Sequence, residues 1–256
     1  YFSERIYLGQ NGEIDAEVYA YWEKILGKDV LDSVEYLYGS LNTIIGSSAY
    51  KTKDIKPFEE YESMKERVSN ANGTQGLYAR FPEKKLVFSE FFVPLITLGI
   101  NDMKKKENVL LSESVINEYS NVLLERLGRV SLGILMFEMY LCKQEGYLEG
   151  NSPEEEYDYY NESFLGNTNY KRELFEIYPC FLRAITETIH NLTTYFSILL
   201  VRLKDDKRRI VEKFCAGKEF DSISAIQASV SDSHKKGNGV SVLTLSNNIK
   251  IVYKPR

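Results

Sequence analysis

At Cys215-Ala216-Gly217 the apolar period of the chain changes from that of a helix to that of a strand, and it does not change back. Before that point apolar residues recur three and four positions apart; after it they alternate along short runs broken by Gly, Asn and Ser. Helices first and a strand meander last is the pattern of an α+β fold, with a small antiparallel sheet appended to a helical body. The reading divides the chain into a helical part, residues 1–220, and a strand part, residues 221–256.

The helical part has its own punctuation. Asp15 is a candidate N-cap for a helix over Ala16–Leu26, with Gly27 as the glycine just past its end. A second amphipathic run, Val30–Tyr38, stops at Gly39. From about Ser48 to Gln75 the chain is polar and weakly periodic, which predicts short helices and loops. Lys84–Ile100 is strongly apolar but contains Pro94, so a kinked helix or two segments are expected there. Ser112 and Ser114 are candidate N-caps for the longest helix, running to about Gln144 with Val115, Tyr119, Val122, Leu123, Leu127, Val130 and Leu132 at helical spacing. Gly146–Thr168 is acidic and rich in Asn, Ser and Gly, and reads as a surface loop. Two more helices follow, Lys171–Leu203 with a break near Pro179, and Asp205–Phe214. The strands are then Ser222–Val230, Val240–Leu245 and Ile249–Lys254, joined through Gly237-Asn238-Gly239 and Ser246-Asn247-Asn248.

Composition narrows the function classes. With 43% hydrophobic and 27% charged residues over 256 positions, the chain can bury a sizeable core, which excludes a disordered or collagen-like protein. Its 32 basic against 37 acidic residues give a net charge of −5, against a dedicated nucleic-acid binder. The three cysteines, Cys142, Cys180 and Cys215, lie more than thirty residues apart, with neither metal-ligand spacing nor a disulfide framework. A reducing, cytoplasmic setting is the expectation. The most apolar stretches, Val130–Leu141 and Tyr195–Leu203, are too short to cross a bilayer and carry Glu138 and Arg202, so no membrane span is expected. The run Glu154-Glu155-Glu156 reads as a solvated surface rather than a cation site. Starting at Tyr1 and stopping at Lys254-Pro255-Arg256, the chain is expected to be a piece of a longer protein.

Only the strand part looks chemically specific. It runs strand, Gly-x-Gly turn, strand, tight turn, and a strand ending in lysine, which is the order of parts in a kinase-type N-lobe. Gly237 and Gly239 let backbone N–H groups approach phosphate oxygens without a Cβ in the way. Lys254, one antiparallel strand further on, can reach the same phosphates as a point charge. The plain alternative is a structural hairpin and a lysine in water. Just ahead of the glycines, Asp232 and His234 flank Ser233 at a spacing that puts carboxylate and imidazole on one side of an extended segment; an Asx-turn with an exposed histidine is the alternative. His190, the other histidine, lies in an amphipathic run with Ile189, Leu192 and Tyr195, where a packing role is expected.

These residues carry a family resemblance. Ser231-Asp232-Ser233-His234-Lys235-Lys236-Gly237-Asn238-Gly239-Val240, continued by Ile249-Lys250-Ile251-Val252-Tyr253-Lys254-Pro255-Arg256, resembles the Gly-Asp-Ser-His … Val-Tyr-Lys-Pro-Arg signature of class II lanthipeptide synthetases. Weaker echoes lie at residues 86–94, 123–127, 178–179 and 202–206. The resemblance implies the N-terminal part of a dehydratase domain: a helical subdomain followed by the first three antiparallel strands of a lipid-kinase-like N-lobe. It implies ATP and Mg²⁺ as cofactors, with zinc confined to a downstream cyclase domain. It also implies a ribosomal precursor peptide as substrate and the remainder of the same synthetase as partner. Ser and Thr of that peptide would be phosphorylated and phosphate then eliminated to give dehydroamino acids for thioether ring formation. By position, Asp232, His234 and Lys254 would be the catalytic residues, Asp232 and His234 as the polar pair of the phosphate-covering segment and Lys254 as the ATP-phosphate lysine, with Ser233, Gly237, Asn238, Gly239 and Lys254 binding the cofactor. The chain departs from the signature at Ser231, which replaces Gly, and at Lys235-Lys236, which replaces an Asn-Gly-type pair. The catalytic-loop, metal-binding and elimination residues of the family would follow Arg256, so residues 1–256 alone are expected to be inactive. The rival readings are a non-catalytic helical peptide-docking or scaffold module and another kinase-like phosphotransferase.

Overall fold

The computed structural model describes residues 58–79, 86–105, 111–228 and 239–254, together with residues 20, 23–24 and 27–28. The described elements are helices α1 (Phe58–Ser69), α2 (Gln75–Tyr78), α3 (Ser89–Lys105), α4 (Glu113–Gln144) and α5 (Pro153–Tyr159), then a π-helical turn (Tyr160–Leu165). After these come α6 (Thr168–Ile177), α7 (Pro179–Asp205), α8 (Lys207–Phe214) and the strands β1 (Ile223–Gln227), β2 (Ser241–Leu245) and β3 (Lys250–Tyr253). The strands form one antiparallel sheet in the order β1-β2-β3, so the α+β expectation holds.

The long helix α4 buries Val115, Tyr119, Leu123, Leu127, Ser131, Leu135, Glu138 and Cys142, a stripe that returns every three or four residues. Leu132 falls outside it and is 40% exposed, in line with Met136 and Tyr140 on the opposite face. The stripe packs against α7 and α3. Gly99 of α3 makes the closest approach possible: a Cβ built there would stand 2.0 Å from the Tyr119 hydroxyl oxygen. That hydroxyl lies 2.8 Å from Thr193 Oγ1 on α7, so three helices meet at one buried point.

Pro94 does not divide the segment around it: α3 is one helix from Ser89 to Lys105. Proline lacks the N–H that would bond the Glu90 carbonyl, but Val93, Leu95 and Ile96 beside it are buried to 2% exposure or less, and that packing outweighs one lost bond. The polar stretch ahead of it contains α1, longer than the short pieces expected, and α2. The break near Pro179 falls as expected, with Tyr178 outside both α6 and α7 and Pro179 opening the latter. Gly27 has φ 81° and its N–H donates to the Glu23 carbonyl at 2.9 Å, as a glycine ending a helix does. The rest of that helix and the run Val30–Tyr38 lie outside the described residues.

The clearest correction concerns Gly146–Thr168, expected as a surface loop. It holds α5 and the π-helical turn, and it buries Tyr160 and Leu165 completely. Ser152 caps α5 by accepting from the Glu155 N–H at 3.2 Å, Pro153 stands at the first helical position, and the Glu155 carboxylate accepts from the Asn151 N–H at 2.7 Å. The acidic run thus sits in the first turn of a helix, where the dipole favours negative charge.

Helices and sheet share one core. Ile223, Ile226, Leu243 and Leu245 belong to the same buried cluster as Phe196, Leu199 and Leu123. Ser112 does precede α4 as its N-cap residue, but its hydroxyl is used differently: it and Ser114 donate to the Ile223 carbonyl at 2.8 and 2.7 Å. At the other end of β1 the Ala228 N–H donates to Glu118 Oε1 at 2.7 Å. The start of α4 is therefore laced to β1 along its length.

Candidate functional site

Alternation decides what each strand offers. In β2, Ser241, Leu243 and Leu245 face the helices and are buried, while Val242 and Thr244 face outward. In β3, Ile251 and Tyr253 share the inner face; Lys250 and Val252 lie on the outer one with Lys254 just beyond, and Val252 is 58% exposed. The pairs Ser241↔Tyr253 and Leu243↔Ile251 set this register. Carried one residue further it puts Lys254 alongside Val240, next to Gly239. The C-terminal end of β3 and the N-terminal end of β2 are thus the same end of the sheet, and Lys254 is exposed there.

Of the residues singled out from sequence, Asp232, Ser233, His234, Gly237 and Asn238 lie outside the described residues; Gly239 and Lys254 lie within them and share this sheet end. Gly239 is buried. Its carbonyl accepts a hydrogen bond from the Tyr195 hydroxyl at 2.8 Å, and the same hydroxyl lies 2.6 Å from Ser241 Oγ. The Tyr195 ring stands 6.1 Å from that of Tyr253, the residue before Lys254. Arg202 donates from Nη1 to the Tyr253 hydroxyl at 2.9 Å, with its guanidinium 6.0 Å from the ring centre. Burial pushes the Tyr195 phenol up, against the lowering effects of the Ser241 hydrogen bond and the Arg126 charge, so it is a neutral donor at physiological pH. Arg126, half-buried on α4, is itself held below its ordinary value by burial, yet a guanidinium stays charged at any ordinary pH.

Sequence reading missed Tyr195, Arg126 and Arg202 as members of this site. Tyr195 sits among apolar residues and signals only packing; what gives it a role is the Gly239 carbonyl, a contact across 44 residues.

Beside β3 lies a cavity of about 720 Å³ lined by Arg202, Leu203, Phe214, Val252 and Lys254 among others. Phe214 is 65% exposed at its rim. A second cavity, of about 680 Å³, lies between α1, α3 and α7 and contains the Arg67–Asp102 ion pair. His190 lines it and is exposed, which corrects the expectation of a packing histidine: the helix turns Ile189 and Leu192 inward and His190 away from them. Among the described residues no group of three or more His, Cys, Asp or Glu side chains could hold a metal ion. Among them, too, no helix is long and apolar enough to cross a membrane.

Residues 178–256 match a protein family described as a domain of unknown function, DUF4135. No curated protein matches the chain at a significant level. The matched span takes in Tyr178, α7, α8 and all three strands, so the helix that carries Tyr195 and Arg202 and the strands it touches are similar, as one unit, to that family.

Proposed function

We propose that this chain is part of an ATP-dependent peptide dehydratase of the lanthipeptide type, contributing a kinase-like N-lobe and the helices behind it. The observation that carries this reading is the pairing of the motif pieces Asp232-Ser233-His234 and Val252-Tyr253-Lys254-Pro255-Arg256 with a sheet end that Gly239 and Lys254 share. Val242 and Val252 put apolar side chains on the outer face of the sheet, on the same side as the exposed cation of Lys254.

ATP, when bound, supplies the γ-phosphoryl group for a Ser or Thr hydroxyl of the precursor peptide. In the reading, Lys254 neutralises phosphate charge as it builds toward the leaving diphosphate. Asp232 and His234 orient the segment that covers the phosphates. The hydroxyl loses its proton to a base, its oxygen forms the P–O bond, and the bond to the leaving diphosphate oxygen breaks. In the second step a base removes the α-proton, the Cβ–O bond breaks, and inorganic phosphate departs, leaving the alkene. In this reading the Mg²⁺ ligands lie elsewhere in the longer synthetase, and the base of the second step is either there or the Asp232–His234 pair, an imidazole beside a carboxylate.

The test is Lys254→Met in the longer protein, with intact-mass time courses on the precursor peptide. Loss of such a charge contact should slow phosphorylation about 10²–10³-fold with the circular dichroism spectrum unchanged. Dehydration at the wild-type rate would sink the reading. The rival docking-module reading has one observation in its favour, the cavity beside β3 with the exposed Phe214 at its rim, and it expects Lys254→Met to change nothing in catalysis.

A further inference from the structure

We infer that α7 positions the phosphate site, with Tyr195 as the positioning residue for Gly239 and Arg202 as that for the strand of Lys254. The inference rests on the nucleotide reading above and adds to it the device that fixes the glycine end and the lysine end relative to each other.

A glycine has no side chain by which to be held, so its place must be set through its backbone. At Gly239 the holding group is the Tyr195 hydroxyl, 4% of whose residue surface is exposed. Proton accounting makes this bond directional. The Gly239 carbonyl can only accept, so the phenol hydrogen goes to it, and Ser241 Oγ–H must then donate to the Tyr195 oxygen. Tyr195 is thus satisfied on both sides, and neither bond can be replaced by water in so buried a place.

The same helix face reaches the lysine strand. Two turns after Tyr195, Arg202 donates to the Tyr253 hydroxyl and lies over its ring, and the Tyr195 ring stands tilted against the same ring at 6.1 Å between centres. Tyr253 and Lys254 are adjacent, so clamping the one limits where the other can begin. Gly239 and Lys254 are therefore held by residues of one rigid helix rather than only by the ladder between β2 and β3. Phosphate contacts lose strength steeply when misplaced by an ångström.

The experiment uses the longer protein that contains this chain and compares Tyr195→Phe, Arg202→Met and Lys254→Met, with ATP as the probe. Tyr195→Phe keeps the ring and removes only the hydroxyl. It should raise KM for ATP about tenfold, the scale of one buried hydrogen bond lost with its carbonyl left unpaired, while kcat changes by less. Amide exchange should quicken at Val240 and Ser241 but stay unchanged in α3 and α4. Arg202→Met, at an exposed position, should raise KM for ATP about threefold by the same logic. If Lys254→Met loses activity but Tyr195→Phe keeps the wild-type KM, the positioning role is wrong and the nucleotide reading stands. If Lys254→Met is fully active, the nucleotide reading fails and this inference fails with it. Should Tyr195→Phe not fold, an unchanged KM in Arg202→Met decides against the inference.

Discussion

The contact between Gly99 and Tyr119 shows how much one residue can decide. An alanine at 99 would bring its Cβ to 2.0 Å from the Tyr119 hydroxyl oxygen and 3.0 Å from Cζ, and the ring is wedged between α3 and α7. Gly99→Ala should cost about 1–3 kcal/mol, as overpacking of a filled core does, read as a lower midpoint in urea. Adding Tyr119→Phe should recover part of that loss, because it removes the atom nearest the new methyl; a strictly additive double variant would show that the clash is not the cause. Neither partner announces this in the sequence, where Gly99 is one glycine among sixteen and Tyr119 one tyrosine among nineteen. Glu138 is similar. It interrupts an apolar run and is nonetheless 4% exposed, because the Tyr178 hydroxyl donates to its Oε1 at 2.5 Å. His190 fails the other way: its apolar neighbours predicted burial, but at helical spacing it lies off their stripe.

Among elements, the strands and the long helices are legible because period, length and punctuation agree: α4, α7, β2 and β3 fall within a few residues of where alternation, Ser112, Pro179 and Asn248 place them. The segment around α5 is misread because its composition is that of a loop. Yet Ser152-Pro153-Glu154-Glu155 is an N-terminal signal in its own right, with cap, proline and acid in the order a helix start uses. The strand β3 allows a sharper test. The Leu245 N–H donates to the Ile249 carbonyl, and antiparallel alternation then points the N–H groups of Ile251 and Tyr253 toward β2 and those of Lys250 and Val252 away from it. Among the described residues no strand pairs with that outer edge. Val252→Pro should therefore leave the sheet intact, with a change in stability of about 1 kcal/mol or less. Ile251→Pro removes a ladder bond and should cost about 3 kcal/mol or more. Equal losses from the two would mean that Val252 also donates to a strand.

At the scale of the molecule, the change of period at residues 215–217 marks a change of element type, while packing runs straight across it. The Cys215 and Phe220 side chains are 1% exposed on either side of the switch, and β1 is tied to α4 at both ends by Ser112, Ser114 and Glu118. Sequence pattern reports which residues turn inward but not what they meet, so a helical part and a strand part are visible in it and their common core is not. A three-stranded sheet has little stability unless one face is covered, and here the covering comes from α4 and α7. The two parts should then unfold together. Leu243, 1% exposed at the middle of β2, is the probe: Leu243→Ala should cost about 2–5 kcal/mol. The loss should appear equally in far-ultraviolet circular dichroism, which reports the helices, and in amide exchange of β2 and β3. A sheet that opened on its own would behave otherwise, with faster exchange in the strands and the helical signal melting at the wild-type denaturant concentration. That outcome would also separate the glycine and lysine strands from the helix argued to position them, since Tyr195 can fix Gly239 only while sheet and helix stay one body.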